Sequence, residues 1–222
     1  MWAWRADTGV RTFHTFMSNS FVALIDYGAG NVRSVFNALK FLGADVRLTA
    51  DASEIRDAAR VVLPGVGAFG DCVRGLESRG LWQTTLDCLW DTRPFLGICV
   101  GYQMLFEESE ESPGIAGFGF FPGKVRRFSV PGLKVPQIGW NALDLIPHSL
   151  WRNVGEHPHV YFVHSYFCEP TDESVVIGRC NYGNSFAAAA ARGSVSGVQF
   201  HPEKSQGTGL EILRNFLQQE LR

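Results

Sequence analysis

The strongest candidate for chemistry in this sequence is a cysteine between two glycines. Gly97-Ile98-Cys99-Val100-Gly101 reads G-x-C-x-G and lies between an apolar run and an amphipathic stretch. A strand before it and a helix after it would make it a nucleophile elbow, in which glycines leave room for a sharp turn. The helix dipole there favours a thiolate. The alternative is a small buried hydrophobe, which most free cysteines are.

A nucleophilic cysteine needs a base, and the base needs a group that orients it. Gln199-Phe200-His201-Pro202-Glu203 offers both, at the end of a second strand-like run. His201 and Glu203 are two residues apart, so an extended backbone points them to the same side. Taken alone, His201 is better interpreted as an exposed turn residue and Glu203 as a solvated loop acid. Together with the elbow they predict a Cys99-His201-Glu203 triad.

An acyl-transfer site also needs donors for a developing oxyanion. Pro64-Gly65-Val66-Gly67 follows another strand-like run. Such a glycine-rich loop can present backbone N–H groups, with the N–H of Val100 as a further donor. The alternative is a simple strand-to-helix turn.

The elements around these residues alternate between strand and helix in the first half of the chain. Such alternation predicts a parallel sheet with helices on both faces. The predicted strands cover 21–25, 44–49, 61–63 and 94–98, and the predicted helices cover 32–42, 69–79, 81–90 and about 101–108, with a short helix from about residue 53.

The second half of the chain reads as strands joined by Gly/Pro turns. These strands are predicted at 118–121, 124–128, 137–145, 159–169, 175–182 and 195–200. The run Ala187 to Ala191 has helical propensity, but its neighbours favour one arm of a hairpin. A helix over 208–221 closes the chain. The sequence therefore predicts one α/β domain over 21–222. We expect a three-layer, flavodoxin-like fold in which helices cover both faces of a mostly parallel sheet, and in which antiparallel strands extend that sheet.

Composition excludes several classes of function. The 222 residues have a net charge of −2 and five widely spaced cysteines with no C-x-x-C. The charge argues against a nucleic-acid partner, no apolar run is long enough to span a membrane, and the cysteines favour a reduced, cytoplasmic protein. Residues 1–20 do not resemble a signal peptide; we expect a weakly ordered N-terminal extension, with Met17 as a possible alternative start.

One rival motif suggests a nucleotide cofactor. Gly28-Ala29-Gly30 follows the first strand, but Arg33 stands where G-x-G-x-x-G needs its third glycine. His157 and His159 lack a nearby third ligand for zinc. We therefore predict no cofactor and no metal.

Six stretches spread from residue 25 to residue 206 carry a family resemblance. They are IDYGAGNVRSV (25–35), LPGVGAFG (63–70), PFLGICVGYQMLFEESEE (94–111), PQIGWN (136–141), YFVHSYF (161–167) and GVQFHPEKSQ (197–206). Together they resemble the class I glutamine amidotransferases, and most closely the glutaminase subunits that serve histidine biosynthesis.

The resemblance implies a role for each matching residue. Cys99 would attack the side-chain amide of glutamine, giving a thioester and ammonia, with His201 and Glu203 as base and acid. Gly65, Val66 and Gly67 would supply oxyanion donors through a peptide rearrangement. The amino-acid end of glutamine would be held by Gln103, Glu111, Ser165 and Tyr166.

The resemblance also implies a partner. Ammonia would pass to a cyclase subunit with a (β/α)₈ barrel, in a heterodimer whose docking face and ammonia gate include Asn31, Trp140, Tyr161 and Lys204. Glutaminase activity would depend on ligand binding by that cyclase. The alternatives are a glutaminase for another synthase (anthranilate, GMP or pyridoxal phosphate), a cysteine hydrolase acting alone, and a non-catalytic interaction protein that keeps the fold.

Overall fold

The computed structural model describes residues 20–28, 30–129 and 131–221. The predicted weakly ordered N-terminal extension over 1–20 falls on residues 1–19, which lie outside the described part, and on residue 20. Within that part, no helix is long and apolar enough to cross a membrane.

A parallel sheet forms the centre of the fold. Its strands are β1 (Val22–Ile25), β2 (Val46–Thr49), β3 (Arg60–Gly65), β4 (Phe95–Cys99) and β13 (Val195–Val198), in the order β2-β1-β3-β4-β13. All four pairings are parallel. β1 and β4 are buried along their whole length, which explains why they read as continuous apolar runs.

A largely antiparallel extension continues the sheet beyond β13. It runs β12 (Asn184–Arg192), β10 (Tyr166–Pro170), β6 (Gly123–Arg127) and β5 (Glu108–Ser109), and β11 (Val176–Tyr182) pairs with β12 and with the two-residue β8 (Asp144–Leu145). Only the last pair of this extension, β6 with β5, is parallel. β7 (Gln137–Ala142) and β9 (His159–His164) form a separate antiparallel sheet of two strands.

Helices connect the parallel strands. They are α1 (Val32–Phe41), α2 (Ala52–Asp57), α3 (Phe69–Ser78), α4 (Trp82–Leu89), α5 (Val100–Gln103) and α6 (Gln206–Leu217). α1 packs against α6, whereas α4 packs against both α2 and α3. Local chemistry sets several ends: Asp51 caps α2 by accepting from the N–H groups of Ser53 and Glu54, and Gly43 takes a φ of 84° after α1. The predicted fold class is confirmed.

The alanine run is a strand, as its neighbours predicted. It forms the middle of β12, between β11 and β13, and Ala188, Ala189 and Ala190 are fully buried. Strand pairing on both sides overrides the weak intrinsic preference of alanine for helix.

The strands predicted at 137–145 and 159–169 are each divided, into β7 and β8 and into β9 and β10, whose members lie in different sheets. Two other sequence-based predictions were wrong, for one reason. The helix after Cys99 ends at Gln103 rather than near residue 108, and residues 118–121 do not form a strand. The N–H groups of Phe118, Gly119 and Phe121 donate to the carbonyls of Met104, Phe106 and Leu105. These carbonyls therefore bind an irregular loop instead of continuing the helix.

Close packing between β13 and the segment after β4 gives a stability prediction. A Cβ on Gly197 would lie 2.2 Å from the ring of Tyr102, which is fully buried. We expect Gly197→Ala to lower the free energy of unfolding by about 1–3 kcal/mol, because the ring has no free space. Urea denaturation measures this change.

Gly207→Ala is the matched control, since a Cβ there meets nothing within 4 Å. In α6 this change should be neutral or stabilising by up to about 1 kcal/mol. Equal effects of the two substitutions would contradict the packing argument.

Candidate active site

The backbone at Cys99 makes the sharp turn that its flanking glycines predicted. Cys99 is the last residue of β4, and its φ of 56° and ψ of −112° are strained values for a residue with a side chain. The turn brings α5 against β3, because a Cβ on Gly101 would lie only 2.0 Å from the carbonyl oxygen of Leu63. The Cys99 side chain therefore stands at the carboxyl end of the central strands.

His201 and Glu203 come to the same edge from β13. His201 Nδ1 lies 2.8 Å from Glu203 Oε1, and both side chains are almost completely buried. Cys99 lines the same cavity as His201, and its side chain raises the pKa of the ring. Since Nδ1 is engaged by Glu203, Nε2 is the nitrogen left for the sulfur. The three predicted residues are therefore joined in the order thiol, imidazole, carboxylate.

The surroundings of His201 favour its charged form. Burial lowers the pKa of the ring, but hydrogen bonds and negative charge from Cys99 and Glu203 outweigh burial and raise this pKa to about 10. The imidazolium is thus the form that its neighbours stabilise, as a base that must carry a proton between reaction steps requires.

A cavity of about 290 Å³ opens beside this group. Ten of the predicted site residues line it, namely Val66, Gly67, Cys99, Val100, Gln103, Glu111, Ser165, Tyr166, His201 and Lys204. Another cavity, of about 350 Å³, has His148 and Arg152 in its wall but none of the predicted residues. The smaller cavity is the better candidate for catalysis, because it alone of the two contains the thiol and its base.

The glycine-rich loop lies next to Cys99 and is held on both sides. Tyr27 donates from its hydroxyl to the carbonyl of Pro64 at 2.6 Å, and the Cys72 sulfur lies 3.8 Å from the carbonyl oxygen of Val66. Because the C=O and N–H of a trans peptide point in opposite directions, the N–H of Gly67 points away from Cys72.

The predicted substrate-binding residues are already engaged. Gln103 Nε2 donates to the carbonyl of Tyr166 and to Gln199 Oε1, both at 3.1 Å. Both hydrogens of Nε2 are thereby used, so Gln103 can offer the cavity only its Oε1 as an acceptor. Glu111 Oε2 accepts from the N–H of Phe69, the first residue of α3, at 2.7 Å.

The four predicted interface residues surround the site. Asn31 Nδ2 lies 3.3 Å from Glu203 Oε1, Lys204 lines the cavity, and the rings of Trp140 and Tyr161 make an edge contact at 5.9 Å. Tyr161 also accepts from the backbone N–H of His201 at 2.9 Å. Asn31 therefore contacts the carboxylate of Glu203, and the Tyr161 carbonyl contacts the backbone of His201.

Two buried polar residues of the site were not singled out from the sequence. Gln199 is fully buried, and its Nε2 lies 3.9 Å from the Cys99 sulfur. His164 donates from Nδ1 to the carbonyl of Tyr166 at 2.7 Å, and it lines the cavity. Burial lowers the pKa of His164 to about 4, against the opposing effect of this hydrogen bond. A polar residue two positions before His201, on the same side of the chain, was the available signal for Gln199.

No metal site accompanies this arrangement in the part of the chain that the structure describes. Searched over those residues, the His, Cys, Asp and Glu side chains form no group of three or more that could hold a metal ion. The five cysteines are all free and buried.

Together, a parallel sheet and a Cys-His-Glu group at its carboxyl edge define a class of protein. Residues 23–219 match the family model described as glutamine amidotransferase class-I, so the chain belongs to that family. Solved structures agree on the fold: a glutamine amidotransferase has a TM-score of 0.71 at 20% identity and covers 89% of this chain and 97% of its own. A structure of PurLQS from Thermotoga maritima has a TM-score of 0.70 at 19% identity, covering 90% of this chain and 98% of its own.

Several curated relatives carry the name imidazole glycerol phosphate synthase subunit HisH. The relative from Methanothermobacter thermautotrophicus is 47% identical, over 89% of this chain and 98% of its own length. The relative from Dechloromonas aromatica is also 47% identical, over 89% of this chain and 95% of its own length. The chloroplastic imidazole glycerol phosphate synthase hisHF of Arabidopsis thaliana is 47% identical over 92% of this chain, which corresponds to 35% of that longer protein.

The raised pKa of His201 gives a pH prediction. A folded-state pKa above the ordinary 6.5 means that the contacts of His201 stabilise the fold fully below about pH 6.5, and that this contribution is lost as pH rises through about 10. We expect Glu203→Gln to destabilise the chain more at pH 6 than at pH 10. Urea denaturation of both proteins at the two pH values measures this difference, and an equal or larger loss at pH 10 would contradict it.

Proposed function

We propose that this chain is the glutaminase subunit of an imidazole glycerol phosphate synthase. It hydrolyses glutamine to glutamate and ammonia, and it passes the ammonia to a cyclase subunit in histidine biosynthesis. The observation that carries the proposal is the joined Cys99, His201 and Glu203 beside one cavity. This group occurs in a chain about 47% identical to HisH subunits along most of its length.

The proposed reaction proceeds through a thioester. The Cys99 thiolate attacks the side-chain carbonyl carbon of glutamine, and His201 gives its proton to the departing ammonia. A water molecule then loses a proton to His201 and attacks the thioester, and cleavage of the C–S bond releases glutamate and restores the thiolate beside a protonated His201. Glu203 keeps the imidazole oriented and stabilises its charged form, as the 2.8 Å contact supports.

The oxyanion formed in both steps needs backbone donors. The loop Gly65-Val66-Gly67 and the N–H of Val100 are the proposed donors. Two features support this assignment: Val66, Gly67 and Val100 line the cavity with Cys99, and a Cβ on Gly65 would lie 2.4 Å from the N of Gly101. Only glycine at position 65 lets the loop approach the start of α5 so closely.

The amino-acid end of glutamine is proposed to bind other residues of the cavity lining. Its ammonium group needs acceptors, which Gln103 Oε1 and the Glu111 carboxylate can supply. Its carboxylate needs donors, which we assign to the segment containing Ser165 and Tyr166. All four residues line the cavity.

The proposed docking face for the cyclase lies on the small sheet of β7 and β9. Ile138 is 58% exposed and Trp140 is 44% exposed, and both lie on one side of β7. Large apolar side chains exposed together are typical of an interaction surface. With Tyr161, Asn31 and Lys204 they surround the site, which fits a partner with a (β/α)₈ barrel that covers the cavity and receives ammonia. The expected assembly is a heterodimer.

The decisive measurement is glutamate release by the purified chain, mixed with cyclases from different pathways and their ligands. We expect the cyclase of histidine biosynthesis to raise the rate. A glutaminase for another synthase would respond to a different partner. A cysteine hydrolase acting alone would be active without any partner, and an interaction protein would never release glutamate.

Replacing the thiol separates the two activities of the complex. We expect Cys99→Ala to lower glutamine-dependent synthesis by at least about 10⁴-fold, because the nucleophile is lost. Synthesis from added ammonium salt should remain within about twofold, because the cyclase receives ammonia directly. Cys88→Ala, at another buried cysteine, is the matched control and should keep both activities. Loss of both activities in Cys99→Ala would mean that the residue is structural.

Removing the predicted acceptor of the substrate ammonium should affect binding more than chemistry. We expect Gln103→Ala to raise KM for glutamine about tenfold or more, with a smaller fall in kcat. Steady-state glutamate release in the complex measures both constants, with Gln83→Ala on the surface of α4 as control. A normal KM with a large loss of kcat would contradict the assignment.

A further inference from the structure

A buried carboxamide lies against the sulfur of Cys99, on β13 and outside the triad. Gln199 has no exposed surface, and its Nε2 lies 3.9 Å from the Cys99 sulfur. A buried polar side chain is costly unless it is hydrogen-bonded, so its position needs a physical reason. Packing alone would favour an apolar residue here, because Val198 and Phe200 on either side are also fully buried.

The orientation of this carboxamide is set by its other end. Gln199 Oε1 accepts from Gln103 Nε2 at 3.1 Å. Gln103 in turn is held by its second hydrogen bond, to the carbonyl of Tyr166, also at 3.1 Å. With its oxygen occupied by a donor, Gln199 must direct its N–H₂ group away from Gln103 and toward the sulfur.

The consequence is a sulfur with donors on two sides. His201 lines the cavity together with Cys99, whereas Gln199 does not line the cavity and donates to the sulfur from Nε2 at 3.9 Å. A hydrogen bond to a charged group is stronger than one between neutral groups, so this donor acts most strongly when the sulfur is a thiolate. The same side chain fixes which atom Gln103 presents to the cavity.

We propose that Gln199 is a positioning residue that holds the Cys99 sulfur from outside the cavity lining and fixes the orientation of Gln103. This inference rests on the proposed glutaminase function and assigns the residue two separable effects, one on the nucleophile and one on substrate binding. The N–H₂ group of Gln199 acts on the nucleophile, and its Oε1 acts on substrate binding by orienting Gln103.

Two substitutions separate these effects. Gln199→Leu removes both hydrogen bonds, so kcat for glutamine should fall about 10- to 100-fold and KM should rise. Gln199→Glu keeps an acceptor for Gln103 but turns a carboxylate toward the sulfur. Its kcat should fall at least as far as that of Gln199→Leu, whereas its KM should stay within about threefold of the wild-type value.

The matched control is a second buried glutamine beside a cysteine. Gln137 is 1% exposed, and its Nε2 lies 4.0 Å from the sulfur of Cys180, outside the site. Gln137→Leu should leave the relative rates with glutamine and ammonium salt unchanged. Synthesis from ammonium salt also reports whether each variant still folds and binds its partner.

A second measurement needs neither glutamine nor partner. The rate at which iodoacetamide alkylates Cys99 in the isolated chain, followed by peptide mass spectrometry, should fall about tenfold or more in both Gln199 variants but not in Gln137→Leu. Unchanged alkylation with kcat within threefold of wild type would overturn the proposal. So would equal losses with glutamine and with ammonium salt, which indicate a structural role.

The two measurements also separate this inference from the proposed function. If wild-type chain releases no glutamate with any cyclase, the proposed function fails, yet slower alkylation in the Gln199 variants would still support the contact with the sulfur. If wild-type chain is an active glutaminase and the variants keep normal alkylation and a kcat within threefold of wild type, only the inference about Gln199 fails.

Discussion

The contact between the start of α5 and the end of β3 is the constraint on which the site depends. A side chain at Gly101 or Gly65 would overlap the backbone opposite, at 2.0 Å and 2.4 Å respectively. Because these backbones touch, the chain must turn sharply at Cys99, whose strained dihedral angles cost about 1–3 kcal/mol. Packing of the buried strands on both sides maintains that strain, and the sulfur consequently stands beside the glycine-rich loop rather than within the core.

Around the sulfur, the buried polar groups form one connected set. The imidazole and carboxylate of His201 and Glu203 approach from one direction, and the carboxamides of Gln199 and Gln103 approach from another. Each member is oriented by the next, which gives a rigid site at low dielectric, where hydrogen bonds are strong. Glu203 Oε2 and His164 Nε2 are exceptions, as buried atoms with no hydrogen-bond partner among the described residues.

The sequence predicted the central strands and the joined triad because their signals are local. Apolar runs such as Phe95 to Ile98 end at glycines and chemically distinctive residues, and parallel strands bring their carboxyl ends together. The short α5 and the irregular segment 118–121 were not predictable in this way. Their form depends on hydrogen bonds between residues about 15 positions apart, such as Phe118 to Met104, and periodicity carries no information on such pairing.

Gln199 illustrates a different limit. Its residue type and position on a strand were visible, but a polar residue beside a predicted base does not reveal which atom it contacts. That required the spatial relation between β13 and β4, which brings residues 99 and 199 together across 100 positions of sequence. The roles of the substrate and interface residues likewise came from family resemblance, since no local pattern identified them.

His201 is connected to both sheets of the fold. His201 follows β13 of the large sheet, and its backbone N–H donates to the carbonyl of Tyr161 on β9 of the small sheet. The outer strand of that small sheet, β7, carries the exposed Trp140. One backbone hydrogen bond therefore links the proposed base of the site to the sheet whose other strand carries the exposed indole.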